Sequence, residues 1–383
     1  MLELRKFVAP EFIFGPEAMQ LIGRYLCNFG AKKALIVTDQ GIIDAGWLTE
    51  LTRLHDEEGI ESAVFSAISP NPRDTEVMAG AEFYHEQHCD VIVALGGGSP
   101  MDCAKGIGIV STNRENILSF EGIDNVAVPG PPLICIPTTA GTSADVSQFA
   151  IISDTTDKKK IAIISKTVVP DVALIDPLTT VTMNSYLTAC TGMDALVHAI
   201  EAYVSTANSP LLDLHALEAV RLVCTNLPKV LDAPDDIVLR NDMTLASLQA
   251  GLAFSNASLG AVHAMAHSLG GLLDLPHGEC NAILLDHVIG YNFPEAVERY
   301  GKIGEAMGLD LRGKNTVEIK QAVLAEVGRL KKQVGIHKTL GERGATLSDI
   351  PLLARKALND PCMVTNPKVP NQRDIEVIYE EAL

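Results

Sequence analysis

Several features that would narrow the function at once are missing from this sequence. Aromatic residues make up only 5% of its 383 residues, with a single Trp. No uninterrupted apolar run reaches the roughly 18–20 residues of a membrane-spanning helix. The opening Met1-Leu2-Glu3-Leu4-Arg5-Lys6 lacks the apolar stretch of a signal peptide. Basic residues are outnumbered, 30 against 48 acidic, for a net charge of −18. That deficit argues against nucleic acid or an anionic membrane surface as the main partner, since both demand basic patches. The eight cysteines, at 27, 89, 103, 135, 190, 224, 280 and 362, form no C-x-x-C pair. Most sit in apolar stretches such as Leu133-Ile134-Cys135-Ile136, where cysteine acts as a small hydrophobe, so a reducing, cytoplasmic compartment is expected. Internal repeats, low-complexity tracts and coiled-coil heptads are absent. So is the G-x-G-x-x-G dinucleotide fingerprint.

What is present divides into two halves. At 383 residues the chain exceeds a usual single core, so two domains are expected. In the first half, short β-branched runs alternate with helix-length stretches. Strands are expected at residues 34–38, 62–66, 90–95, 133–137, 161–164 and 172–176, the pattern of β-α-β units and a parallel sheet. After about residue 183 long helical patterns take over, at 186–205, 210–226, 236–255 and 259–272, with three or four more beyond. Met183-Asn184-Ser185 supplies the break, with Ser185 as the expected helix cap. The expected domains are therefore 1–184, α/β, and 185–383, all-helical.

Strand 90–95 runs into Gly96-Gly97-Gly98-Ser99-Pro100, and a helix is expected from Met101 to Val110. Glycines let backbone N–H groups approach an anion, and a helix N-terminus adds a favourable dipole. Asp102 could accept N–H bonds in that first turn or contact a ribose. A second loop, Pro137-Thr138-Thr139-Ala140-Gly141-Thr142-Ser143, offers hydroxyls and backbone donors after another strand. Asp39 ends the first strong strand, where a carboxylate can bind the ribose hydroxyls of NAD and repel the 2′-phosphate of NADP. It could equally open a turn before Gly41. Together these features point to a dinucleotide across the carboxyl ends of a parallel sheet.

In the second half, Asp194 and His198 are four residues apart in a helical pattern, on one helix face. His263 and His267 repeat that spacing, and His277 sits in a Pro276-His277-Gly278 turn able to swing a ligand inward. Three histidines within fifteen residues, in a chain with only ten, favour a divalent metal. Spacing leaves open which of His263, His267 and His277 bind. Ligation by Asp and His without thiolate suits iron, zinc or manganese.

The stretches Gly96-Gly97-Gly98-Ser99-Pro100-Met101-Asp102, Pro137 to Thr142, Thr191 to Tyr203, Gly260 to Gly271, Pro276-His277-Gly278, Asp360 and Asn366-Pro367 carry a full-length resemblance. In that order they resemble the iron-containing (group III) alcohol dehydrogenases, near the lactaldehyde reductase and microbial alcohol dehydrogenase branch. The resemblance implies an α/β N-terminal dinucleotide-binding domain and an all-α C-terminal metal-binding domain, a dehydroquinate synthase-like architecture. It implies ferrous iron, with zinc or another divalent metal as substitutes, on Asp194, His198, His263 and His277. His267 then moves to the substrate side as a proton-passing residue, with Phe254 and Cys362 lining the substrate pocket. NAD contacts carry over to Asp39, Asn71, Gly97, Gly98, Ser99, Thr138, Thr139, Ser147, Phe149, Lys160, Thr179 and Thr182. The implied reaction is reversible hydride transfer between NAD(H) and a small primary alcohol or diol, in a dimer or dimer-based assembly.

Three positions depart from the family pattern. Ser143-Ala144-Asp145 stands where Gly-Ser-Glu is usual, Ser147 replaces a threonine, and Thr179 replaces a leucine. A serine for glycine matters if position 143 needs positive φ. The competing readings are a dehydroquinate synthase-like lyase, a glycerol dehydrogenase-like enzyme, and a non-catalytic nucleotide- or metal-binding protein. Neutral surroundings at Ala261-Val262, Met265-Ala266 and Phe254 speak against the first, which needs a basic pocket.

Overall fold

The computed structural model describes residues 6–383; the opening segment read above against a signal peptide lies outside them except for Lys6. The described chain forms two compact units. One runs from Val8 to Met183; the other comprises Asn184–Leu383 together with Lys6 and Phe7.

The first unit is built on β1 (Glu11–Phe14), β2 (Lys33–Val37), β3 (Glu61–Phe65), β4 (Val91–Gly96), β6 (Leu133–Pro137) and β9 (Val172–Ile175). These six pair parallel throughout, in the order β1-β9-β6-β4-β2-β3. Helices α1 (Ile22–Asn28), α2 (Gln40–Asp44), α3 (Trp47–Glu57), α4 (Asp74–Glu86) and α5 (Gly98–Asn113) complete it. Apolar side chains of β2, β4 and β6 alternate between two separate cores: Leu35, Ile92 and Cys135 face one, Ile36, Val93 and Ile134 the other. A sheet covered on both faces explains why these strands read as continuous β-branched runs. The chain goes outward from β2 to β3 and then returns to β4 on the other side of β2. That reversal, between β2 and β4, is where open parallel sheets place ligands at their carboxyl ends.

The strand expected at 161–164 is real but belongs elsewhere. It is part of β8 (Lys159–Ile164), which pairs antiparallel with β7 (Phe149–Asp154) and parallel with the two-residue β5 (Gly122–Ile123). Asp154 Oδ1 accepts from the backbone N–H groups of Thr156 and Asp157 and fixes the hairpin turn.

The second unit is helical: α6 (Ser185–Val204), α7 (Pro210–Asp232), α8 (Ile237–Ala257), α9 (Ala261–Leu273), α10 (His277–Asn292), α11 (Val297–Ala306), α12 (Thr316–Gln333), α13 (Ile350–Leu358) and α14 (Gln372–Ala382). Asn184, rather than Ser185, caps α6, its side chain accepting from Leu187 N at 2.8 Å. Among the described residues no helix is long and apolar enough to cross a membrane.

Candidate metal centre and nucleotide cradle

Helix α6 is buried over most of its length, and Asp194, His198 and Glu201 fall on one stripe of it at spacings of four and three. Helix α9 supplies His263 and His267. His277 lies not in a turn, as its Pro-His-Gly setting suggested, but at the first position of α10, after Pro276 as N-cap. Gly278 makes that placement possible. A Cβ there would lie 2.6 Å from the carbonyl oxygen of Cys190, one turn before Asp194, so only glycine lets α10 come this close to α6.

These elements bring Asp194, His263 and His277 together, with their ligand atoms all within 4.8 Å of one another. Asp194 Oδ1 is 3.7 Å from His263 Nε2 and 3.8 Å from His277 Nε2. Donors sharing one metal at about 2.1 Å stand roughly 3–4 Å apart, and both separations fall in that range. The amide of Asn281, one turn after His277, faces all three atoms at once. Its Nδ2 lies 2.6 Å from Asp194 Oδ1, 3.1 Å from His263 Nε2 and 3.2 Å from His277 Nε2. His198 is outside the triplet but touches it, its ring stacked on His263 with centroids 4.5 Å apart. Phe254 also stacks on His198, with ring centroids 4.3 Å apart.

The electrostatics agree. Burial alone would raise the Asp194 carboxyl, but His198, His263 and His277 together hold it well below the usual carboxylate range. Glu201 accepts from His263 Nδ1 at 2.6 Å and from Val262 N at 2.7 Å. A carboxylate on Nδ1 fixes the proton there, so that a metal displacing the Nε2 proton would meet a lone pair on the side of Asp194 and His277. Glu201 Oε1 thereby satisfies an otherwise unpaired N–H at the start of α9, with Asn366 Oδ1 taking that of Ala261 at 3.1 Å. Asp360 holds His267 in the same manner, Oδ2 to Nδ1 at 2.8 Å. Cys362 is fully buried, close to both, and burial drives its thiol pKa well up.

In the α/β unit, three neighbouring parallel strands deliver their carboxyl ends to one edge. Asp39 follows β2, Gly97 to Ser99 follow β4, and Thr138 with Thr139 follows β6. Helix α5 starts at Gly98, three residues earlier than the sequence suggested, so its free N–H groups belong to the glycine loop itself. A Cβ on Gly97 would meet Thr139 Cγ2 at 3.1 Å, and one on Gly98 would meet Thr142 Cγ2 at 2.7 Å. The cradle is therefore closed by backbone against threonine side chains. Thr138 Oγ1 is buried with no hydrogen-bond partner among the described residues, as suits a hydroxyl facing a ligand.

Other residues of this unit have visible structural duties. Asp39 Oδ1 caps α2 through Ile42 N at 3.1 Å. The Ser99 hydroxyl donates to the Pro70 carbonyl, next to the buried Asn71. Ser147 and Phe149 are buried where the loop enters β7, and Lys160 pairs opposite Ser153 in β8. Thr182 Oγ1 accepts from Trp47 Nε1 at 3.0 Å. Asp102 does not accept the N–H groups of its own helix start. It is buried, and accepts a hydrogen bond from the Ile151 backbone near Lys105.

Comparison with known proteins decides the family. Residues 9–177 match the family described as iron-containing alcohol dehydrogenase, and residues 188–383 match the Fe-containing alcohol dehydrogenase family, C-terminal. The chain belongs to the iron-containing alcohol dehydrogenase family. The 1,3-propanediol dehydrogenase of Citrobacter freundii is 42% identical over 372 residues, 96% of each chain. A crystal structure of 1,3-propanediol oxidoreductase superposes with a TM-score of 0.96 at 40% identity, covering 100% of both chains. The sulfoacetaldehyde reductase of Bifidobacterium kashiwanohense, solved in complex with NAD+, gives 0.87 at 30% identity, covering 100% of this chain and 99% of that one.

Two departures from the pattern of the iron-containing alcohol dehydrogenases now have a structural meaning. Ser143 has φ +53°, so position 143 does need the left-handed conformation that glycine adopts at no cost. Thr179 is fully buried, and the carbonyls of Pro137 at 2.5 Å and Asp176 at 2.7 Å share its one hydroxyl proton. Its hydroxyl tethers the Pro137 loop. The residues that sequence reasoning passed over are Glu201, Asn281 and Lys105. Their helical offsets, seven from Asp194, four from His277 and seven from Gly98, were the available signal.

Proposed function

We propose that this protein is an NAD-dependent alcohol dehydrogenase that interconverts a small primary alcohol or diol and its aldehyde. Asp194, His198, His263 and His277 would hold a divalent metal, ferrous iron first among the choices. The observation that carries this reading is the convergence of Asp194 Oδ1, His263 Nε2 and His277 Nε2 within 4.8 Å. A donor set of carboxylate and imidazole without thiolate suits iron and also accepts zinc or manganese. The dinucleotide would lie on Asp39, Asn71, Gly97, Gly98, Ser99, Asp102, Thr138, Thr139, Ser147, Phe149, Lys160, Thr179 and Thr182. The glycine approach to Thr139 and Thr142 and the buried Thr138 hydroxyl fit a phosphate-bearing ligand. Asp39 at the end of β2 favours NAD over NADP.

When bound, the dinucleotide supplies the hydride acceptor and the metal supplies Lewis-acid polarisation of the substrate oxygen. The chain's own residues do the rest. Asp194 brings the one buried negative charge among the ligands. Glu201 keeps His263 in the ligating tautomer. His267, with its Nδ1 proton held by Asp360, keeps Nε2 able to take the alcohol proton and pass it on. Phe254, stacked on His198, and the buried Cys362 give the substrate pocket a neutral lining. The likeness to 1,3-propanediol dehydrogenase supports a short alcohol or diol. A cytoplasmic, dimer-based enzyme completes the reading; the eight cysteines, all free, support a reducing compartment.

The test is NADH oxidation with short aldehydes, and NAD reduction with ethanol, 1,2-propanediol and 1,3-propanediol, after anoxic loading with ferrous iron. Turnover with NADH well above NADPH is expected. Binding of NADH and metal with no turnover on the whole panel would overturn it in favour of a non-catalytic protein.

A further inference from the structure

Lys105 is 1% exposed, in the third turn of α5, with its ammonium group deep inside the α/β unit. Its Nζ donates to Ser147 O at 2.9 Å, Ser147 Oγ at 3.3 Å and Phe149 O at 2.6 Å. Three acceptors use all three of its N–H donors. Asp102 and Asp145, both buried, stabilise the charge that burial penalises. Taking an ammonium out of water is costly, and an apolar side chain of similar length would fill the volume without that cost. The lysine therefore has a task beyond packing.

The task follows from what it joins. Seven residues earlier on the same helix is Gly98, whose backbone faces Thr142. The segment from Pro137 to Ser147 leaves β6, forms the opposite wall of the cradle, and enters β7 at Phe149. The near end of that segment is tied down by the Thr179 hydroxyl on Pro137 O at 2.5 Å and by Thr138 N on Gly96 O at 2.9 Å, while further along Ser143 Oγ reaches Gly141 O at 3.3 Å, Val146 N reaches Ser143 O at 3.1 Å, and Ser143 sits at a strained positive φ. The ammonium pins the far end of this wall to the helix that forms the near one.

We propose that Lys105 is a positioning residue for the dinucleotide site, fixing the gap between the α5 N-terminus and the Pro137–Ser147 loop. This rests on the assignment of NAD to that cradle. The experiment uses the full-length, iron-loaded protein with Lys105→Met, comparing NADH dissociation constant, KM for NAD, KM for alcohol and iron content with wild type. NADH binding should weaken at least tenfold and KM for NAD should rise in step. Iron content and KM for alcohol should stay within twofold, and hydrogen exchange should quicken over residues 138–149. A lysine that merely supports the fold would lower the melting temperature and leave NADH affinity unchanged, and that result overturns the proposal. Should Lys105→Met fail to fold, Lys105→Gln, which keeps two N–H donors, decides on the same readouts. If wild type itself binds no NADH, the cradle assignment fails first, and that outcome is separate from an unchanged Lys105 variant.

Discussion

The helical unit and the α/β unit build their sites from opposite materials. Around Asp194 the helical unit spends buried charge: three carboxylates and four imidazoles, nearly all inaccessible, with His263 and His267 each aimed by a carboxylate. Around Gly97 and Gly98 the α/β unit offers backbone, hydroxyls and a helix start, with its one buried ammonium withdrawn to the base of the loop. A cation needs lone pairs converging from several directions, and here side chains on separate helices supply them. A pyrophosphate needs N–H groups, which the backbone provides wherever side chains stay out of the way. The first site therefore fails by losing side chains, and the second by gaining them.

The largest effect that separates the two falls on His267. His267→Ala should lower kcat by about 10²-fold or more, the usual scale of general acid–base catalysis, with iron content and NADH affinity retained. Unchanged turnover and an unchanged pH–rate profile would remove the proton-passing role. Next is Glu201→Gln, which keeps the size of the side chain but loses the anionic acceptor on His263 Nδ1. Metal affinity, read by competition with a chelator, should fall roughly 10–100-fold, as for other outer partners of ligating histidines. Full affinity in that variant would make Glu201 only a cap for α9. On the α/β side, Gly98→Ala should weaken NADH about tenfold, near 1.4 kcal/mol, while leaving bound iron untouched. Adding Thr142→Ser removes the methyl group that the new Cβ meets at 2.7 Å and should restore part of the loss. The smallest effect is at Ser143. Ser143→Gly relieves its φ of +53° and should stabilise the α/β unit by about 0.5–1 kcal/mol, visible as a small rise in melting temperature. A lower melting temperature would show that the serine's own contacts outweigh its strain.

The two sites were also unequally legible in the sequence. Strands β2, β4 and β6 announced themselves because both their faces are buried, and the glycine loop followed from the strand before it. The sequence showed the metal-binding residue types but not their convergence, because that depends on tertiary approach. His277 read as part of a turn, since Pro276 and Gly278 flank it. Only the contact of Gly278 with Cys190 shows that the glycine serves helix packing. Spacing likewise could not separate His263 from His267. In the structure their difference is plain: His263 has Glu201 behind it and Asp194 in front, whereas His267 is tied to Asp360. The β7–β8 hairpin was missed although Asp154 marks its turn, because β8 read as one more member of the parallel sheet. Asp39 remains doubly occupied, capping α2 with one oxygen while standing where a ribose would bind.

The central claim is that the two sites are built independently and that Asp194 anchors the metal. Anoxic titration of ferrous iron into wild type and Asp194→Ala, with NADH binding measured on the same samples, tests it most directly. One tightly bound iron per wild-type chain, none in Asp194→Ala, and NADH affinity equal within twofold is the expected result. Stoichiometric iron retained by Asp194→Ala would contradict it.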